Sequence, residues 1–190
     1  MMIKEFEQFK NEMINGDFKP FGRHTYKKDE IDIEQYLNKN RLNDIIEKYG
    51  DLTRARVSEE KNQNRFIYHH GRGYYEGKIT GMSFGVDDYF IYKEISDDTI
   101  ISSGRYWYPP NSYCGWHTNS DTLGERIYVV WCEEDNKSFF RYRDVDTDKV
   151  VTVWDKSGWN INQFKIPKDK HFWHCVGSNT NRISIGLKYK

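Results

Sequence analysis

The stretch RIYVVWCEEDNKSFFRYRDVDTDKVVTVW, residues 126–154, contains three short runs of β-branched and aromatic residues separated by polar segments. The runs RIYVVW, SFFRYRD and VVTVW have the length and composition of strands, and the acidic segments between them are typical of turns. Similar runs, among them YFIYKEI, TIISSGRYWY, HFWHCV and RISIGLKY, extend from Phe66 to the C-terminal residues. Runs spaced about 8–14 residues apart predict a mostly β body over residues 66–190, built as a sandwich or barrel.

The first 50 residues follow a different periodicity. Apolar residues recur at helical spacing in residues 2–14 and again in residues 32–49, where Gly50 follows as a stop signal. We therefore expect residues 1–50 to be mostly helical, with two amphipathic helices supporting one face of the β body. No repeat or linker divides the chain, so residues 1–190 are expected to form a single domain.

Composition limits the classes of partner. Lysine and arginine total 29, and aspartate and glutamate also total 29, so no net field favours nucleic acid or an anionic membrane as a partner. There is no apolar run of about 20 residues, which predicts that the chain does not enter a membrane. The acidic N-terminal stretch does not resemble a signal peptide, and the three cysteines are far apart, as is typical of free thiols in a reducing compartment. These features predict a cytoplasmic protein.

Two histidines are candidate metal ligands. His117 lies where a strand-like run ends, and His174 lies in a later run shortly before the turn GSNTN. Imidazoles from distant strands can meet inside a β sandwich, although a lone histidine in a strand is more often a hydrogen-bonded core residue. Residue 119 is two positions beyond His117, so in an extended strand it would project to the same face, with its Cα about 7 Å away.

A second group of residues is suited to binding a carboxylate. Arg182 and Ser184 are two positions apart in the run RISIGLKY, so a guanidinium and a hydroxyl are expected on one face of a strand. Tyr108, which precedes two prolines, is a candidate for an additional hydrogen bond to the same carboxylate. The alternative interpretation is a surface ion pair for Arg182 and simple packing of Tyr108 against the prolines.

These groups occur in an order that resembles a known family: Tyr108-Pro109-Pro110, His117-Thr118-Asn119, His174 and Arg182-Ile183-Ser184. The order is similar to the signature of the Fe(II)- and 2-oxoglutarate-dependent oxygenases, with a spacing from Tyr108 to His117 like that of prolyl hydroxylases. The resemblance covers roughly residues 104–189. It implies a double-stranded β-helix, or jelly roll, with the N-terminal helices as support. It also implies Fe(II) held by His117, His174 and a carboxylate, and 2-oxoglutarate bound by Tyr108, Arg182 and Ser184.

The chain departs from the family pattern at the carboxylate position, which is Asn119 rather than aspartate. An amide oxygen is a neutral and weaker ligand, and Asp121 lies nearby in NSDTLG, a segment with turn composition that would allow it to curl back. Asn119 and Asp121 therefore both remain candidate metal ligands. No catalytic residue is expected beyond the metal centre.

The resemblance implies a dioxygenase that consumes 2-oxoglutarate and O2, releases succinate and CO2, and hydroxylates a protein residue or a small molecule. The alternative is a non-catalytic jelly-roll binding protein, or a pseudoenzyme whose metal site is degenerate at Asn119. The two differ in whether the site turns over 2-oxoglutarate.

Overall fold

The computed structural model describes residues 4–15, 30–51, 67–68, 82–86, 89–93, 100–118, 124–168 and 170–189. The helices and strands in these ranges are α1 (Lys4–Ile14), α2 (Glu34–Leu37), α3 (Lys39–Tyr49), β1 (Ile67–Tyr68), β2 (Met82–Val86), β3 (Tyr89–Lys93), β4 (Ile100–Tyr108), β5 (Ser112–His117), β6 (Gly124–Cys132), β7 (Ser138–Arg143), β8 (Val150–Trp154), β9 (Gly158–Ile166), β10 (His174–Ser178) and β11 (Arg182–Tyr189). Strands β4 to β11 form the main body, β1 extends one of its sheets, and β2 and β3 pair with each other.

The strand pairing of the main body is that of a double-stranded β-helix. β7 and β8 form an antiparallel hairpin, and outside it β6 pairs with β9, β5 with β10, and β4 with β11. These nested pairs alternate between a five-stranded sheet of order β1-β4-β11-β6-β9 and a four-stranded sheet of order β5-β10-β7-β8. One long antiparallel ribbon is thus wound across two facing sheets, and the predicted jelly roll is confirmed.

The helices cover the outer faces of both sheets. α1 buries Phe6 and Phe9 in a cluster with the outer face of the five-stranded sheet. Leu37 of α2 and the α3 residues Leu42 and Ile45 pack instead on the outer face of the four-stranded sheet. The expectation of support on one face is wrong, because each sheet has an apolar outer face that must be buried.

The helix predicted over residues 32–49 is broken at Asn38, which has an extended backbone (φ −74°, ψ 169°). Its side chain accepts a hydrogen bond from the Arg41 backbone N–H at 2.8 Å and donates one to the Glu34 carbonyl at 2.9 Å, so it caps α3 and terminates α2. The indole of Trp116 in β5 donates to the Asn38 carbonyl at 3.1 Å. Arg141 of β7 forms a bidentate ion pair with Glu34. The helix break at Asn38 and the start of α2 are thus attached to two strands of the four-stranded sheet, β5 and β7.

The cysteines of the described residues are free thiols, as the sequence predicts. Cys132 and Cys175 are buried, and burial raises the pKa of the Cys132 thiol, which therefore stays protonated at neutral pH. No helix in the described ranges combines the length and apolar character needed to span a bilayer.

Candidate functional site

A β-bulge in β5 turns His117 into the interior of the roll. His174 of β10 is opposite His117, yet Val176 is opposite Cys114, so β5 has one extra residue between these two pairs. Cys114 and His117 consequently share the inner face although they are three positions apart, and Trp116 packs outward with the helices. In a strand without the bulge, strict alternation from Cys114 would put His117 on the outer face.

The two imidazoles lie against each other, with ring centroids 4.1 Å apart. We call His117 and His174 the histidine pair. His117 Nδ1 lies 2.7 Å from the Gly115 carbonyl oxygen, and His174 Nδ1 lies 3.0 Å from the Phe172 carbonyl oxygen. Because a carbonyl oxygen only accepts hydrogen bonds, each Nδ1 bears a proton, and Nε2 is the nitrogen that is basic when the ring is neutral. Backbone carbonyls orient metal-binding histidines in the same manner.

The electrostatic surroundings keep His174 neutral. Burial lowers its pKa well below the ordinary range, and His117 and Arg126 lower it further, although the hydrogen bond to the Phe172 carbonyl opposes the shift. Neutral imidazole is the form that binds a metal ion. Arg126 was not among the site residues predicted from the sequence. It lies two positions before Tyr128 in the run RIYVVW, so the period of two along a strand would have placed both side chains on the same face.

The predicted third metal ligand lies outside the described residues. Both candidates, Asn119 and Asp121, fall in residues 119–123, between β5 and β6. Within the part of the chain that the structure describes, no group of three or more His, Cys, Asp or Glu side chains is placed to hold a metal ion. Of the predicted metal ligands, the structure thus brings together His117 and His174.

A buried ion pair holds Arg182 on the inner face of β11. Arg182 Nε donates to Asp155 Oδ2 at 2.8 Å, and the two side chains are 0% and 1% exposed. Neither Nη1 nor Nη2 of Arg182 has a hydrogen-bond partner among the described residues. The alternative of a surface ion pair is therefore wrong, because both side chains are buried. On β11, Arg182 lies between its cross-strand partners Tyr108 of β4 and Cys132 of β6. A buried guanidinium with two unused donor groups is suited to binding an anion.

The other two predicted carboxylate ligands share this face. Ser184 is two residues beyond Arg182 and is buried. Tyr108 is the cross-strand partner of Arg182, whose Cζ lies 5.3 Å from the centroid of the tyrosine ring. Burial raises the pKa of Tyr108 well above its ordinary value, with Cys114 adding to the rise and Arg182 opposing it. The phenol therefore stays protonated and able to donate a hydrogen bond.

Three residues beside Arg182 were not predicted from the sequence. Ser138, the first residue of β7, donates to Asp155 Oδ2 at 2.7 Å, and Cys132 Sγ lies 3.1 Å from the same serine oxygen. We call Cys132, Ser138, Asp155 and Arg182 the polar cluster. Asp155 directly follows the run VVTVW, where an acidic residue is typical of a turn, so no local pattern marks it as part of a site.

The histidine pair and the polar cluster lie at opposite ends of one interior. His174 begins β10, and Ser178, which pairs with Ser138, ends it. Four residues of extended strand span about 13 Å. Phe140 and Phe172 flank the histidine end, with ring centroids 5.5 Å and 5.4 Å from that of His174. Two imidazoles and a guanidinium with two unpartnered nitrogens are thus combined in one aromatic, low-dielectric interior.

Comparisons with known proteins found distant structural neighbours. No protein-family model matches the chain, and no curated protein matches it. The structure of Drosophila melanogaster CENP-C bound to CAL1 is 10% identical, with a TM-score of 0.35 over 58% of this chain and 80% of that chain. A prolyl-4-hydroxylase from Pseudomonas putida is 16% identical, with a TM-score of 0.36 over 46% of each chain. A cupin domain from Bordetella pertussis is 17% identical, with a TM-score of 0.30 over 60% of this chain and 97% of that chain.

The chain spans less than half the length of the Pseudomonas putida protein that it matches. All of these TM-scores are below 0.5. The jelly-roll assignment therefore rests on the nested strand pairs, and any function must be inferred from the histidine pair and the polar cluster.

Proposed function

We propose that this chain is an Fe(II)- and 2-oxoglutarate-dependent dioxygenase that hydroxylates a protein residue or a small molecule. The observation that carries the proposal is the presence, in one interior, of two imidazoles with ring centroids 4.1 Å apart and a buried guanidinium with two unused donor groups. The two imidazoles would bind a metal ion, and the guanidinium would bind one carboxylate of a diacid. Core packing alone does not account for both, because an unsatisfied buried guanidinium is destabilising.

The residues present fit the implied iron. His117 and His174 would bind Fe(II) through Nε2, and a third ligand would come from Asp121 or Asn119. When bound, Fe(II) and 2-oxoglutarate supply the oxidising chemistry that consumes O2 and releases succinate and CO2. The backbone carbonyls of Gly115 and Phe172 hold the imidazole planes, which fixes the direction of each Nε2.

The residues around the polar cluster would hold 2-oxoglutarate by its distal carboxylate. The Nη groups of Arg182 would bind the two carboxylate oxygens as a fork, and Ser184 and Tyr108 would donate additional hydrogen bonds. The aromatic side chains between the two ends, such as Phe140, would exclude water from the reacting atoms.

A second candidate is a jelly-roll binding protein without turnover. Asn119 favours it, because a neutral amide at the carboxylate position weakens the affinity for Fe(II). In that case the histidine pair would be structural, or it would bind a metal ion that catalyses no reaction.

An anaerobic titration with Fe(II) and then 2-oxoglutarate distinguishes the two functions. The dioxygenase should develop a weak visible charge-transfer band, and it should form succinate when O2 is admitted. Protein that stays colourless and forms no succinate would instead support the binding protein.

Substitutions test the individual roles. His174→Ala should abolish iron binding, and Arg182→Ala should weaken 2-oxoglutarate binding with little change in iron affinity. Arg105→Ala is a matched control, because Arg105 is also buried but lies on the outer face with its Cζ 5.9 Å from the ring centroid of Phe9. Equal losses of 2-oxoglutarate affinity in the two arginine variants would contradict the role of Arg182 in binding 2-oxoglutarate.

A second pair of variants, Asp121→Ala and Asn119→Ala, tests the third metal ligand. The variant that loses iron identifies this ligand.

A further inference from the structure

Among the described residues, Asp155 is the hydrogen-bond partner of the Arg182 guanidinium. It contacts Nε, at 2.8 Å, and it leaves the edge formed by Nη1 and Nη2 without a hydrogen-bond partner in the described part of the chain. A guanidinium bonded through Nε still presents a pair of parallel N–H groups at that edge. The contact thus occupies one side of the fork and leaves the bidentate side available.

The carboxylate of Asp155 is itself firmly held. Its Oδ2 accepts a hydrogen bond from Ser138 Oγ at 2.7 Å, and the Asp155 backbone N–H donates to the Ser138 carbonyl at 2.9 Å. The Asp155 carbonyl accepts from the Asn136 backbone N–H at 2.9 Å. Both the main chain and the side chain of Asp155 are therefore anchored to the start of β7, so Asp155 holds Nε of Arg182 at a fixed position.

We propose that Asp155, held by Ser138, is a positioning residue that fixes the guanidinium of Arg182 for the distal carboxylate of 2-oxoglutarate. This inference rests on the proposed function, because it assigns the ligand of Arg182. Asp155 does not contact the ligand; it acts through Arg182. An arginine side chain that must be ordered during binding loses affinity, whereas one ordered beforehand does not. Ordering one such side chain corresponds to a change of about two- to tenfold in the dissociation constant.

The test compares two acids that share the 2-oxo acid group and differ in the distal carboxylate. 2-Oxoglutarate has this carboxylate and 2-oxobutyrate lacks it. Dissociation constants of both acids are measured calorimetrically, without O2, on Fe(II)-loaded wild type, Asp155→Ala and Arg182→Ala. Asp155→Ala should weaken 2-oxoglutarate about two- to tenfold and leave the affinity for 2-oxobutyrate and the iron content unchanged. Asp155→Asn, which keeps an oxygen acceptor for Nε, should restore most of the lost affinity.

The possible outcomes separate this inference from its premise. If Arg182→Ala weakens 2-oxoglutarate while Asp155→Ala leaves it unchanged or tightens it, the positioning role is overturned and the proposed function stands. Equal weakening of both acids by Asp155→Ala would show a merely structural role and would also overturn the inference. If Arg182→Ala leaves 2-oxoglutarate binding intact, both the proposed anion site and the positioning role fail. Should Asp155→Ala not fold, Ser138→Ala, which frees the carboxylate but keeps its charge, must still weaken 2-oxoglutarate selectively.

Discussion

Gly177, in the middle of β10, passes beneath α2 where there is no room for a side chain. A methyl group at this position would lie 2.5 Å from Cζ of Phe139 and 2.9 Å from Cδ1 of Leu37, and both of these side chains are buried. Favourable contact between carbon atoms requires about 3.5–4.0 Å. Gly177→Ala should therefore overpack the interface between β10 and α2 and displace the strand that carries His174.

The expected magnitude combines two opposing effects. Overpacking a filled core lowers the free energy of unfolding by about 1–3 kcal/mol. Alanine also restricts the unfolded chain, which returns about 0.4–1 kcal/mol. The net destabilisation is thus about 1–2 kcal/mol, or roughly 2–8 °C in Tm for a domain of this size.

Thermal and urea denaturation of a double-mutant cycle would measure this effect. Phe139→Leu removes the Cε and Cζ atoms that meet the new methyl group, so it should rescue part of the loss, with a coupling energy of about 1 kcal/mol. Gly158→Ala is the control, since Gly158 has a positive φ of 88° and open space around its Cβ position. Its loss comes from backbone strain and should not respond to Phe139→Leu. Gly177→Ala as stable as the wild type, or strictly additive with Phe139→Leu, would refute the steric explanation.

Three further outcomes are expected. Partial burial raises the pKa of Asp51, but hydrogen bonds from Arg143 and Trp173 outweigh it and bring the pKa below its ordinary value of 3.8. The stability that this carboxylate contributes is therefore fully present above about pH 4 and lost as pH falls through the folded-state pKa, so denaturation curves of wild type and Asp51→Asn should converge in acid. Arg182→Met should lower the free energy of unfolding by about 3–5 kcal/mol, because it leaves the buried carboxylate of Asp155 without its ion-pair partner. Adding Asp155→Leu should recover most of this loss, as measured by urea denaturation. A double variant that is no more stable than Arg182→Met would contradict this prediction. Fe(II) at about one hundred times its dissociation constant should stabilise the wild type by about 2.7 kcal/mol in anaerobic thermal denaturation. A chelator or the substitution His174→Ala should remove this stabilisation. A wild-type Tm that does not respond to the chelator would count against the metal centre.

The pattern of residues predicted the helical character of the first 50 residues and most of the strands that follow. Side chains on one face of a strand recur every two residues, and those on one face of a helix recur every 3.6 residues. Both periods can be recognised in the sequence without knowledge of the tertiary structure. The co-facial placement of Arg182 and Ser184 follows from the same period, since both residues lie on one regular strand. The jelly roll itself was inferred from a resemblance, and the nested strand pairs confirm it. The roles of these residues as iron and 2-oxoglutarate ligands stay predictions.

Long-range contacts account for the features that local patterns did not predict. His117 faces inward because β5 has a bulge, and Trp116 beside it is held by the Asn38 carbonyl, 78 residues away in the chain. The partner of Arg182 is Asp155, 27 residues away, and it is recognisable only when β8 and β11 are in place. Periodicity is a property of neighbouring residues, so it predicts which face of a regular strand a side chain occupies. Bulges, helix breaks and buried ion pairs depend on which distant groups the folded chain brings within hydrogen-bond distance, and no local period encodes that choice.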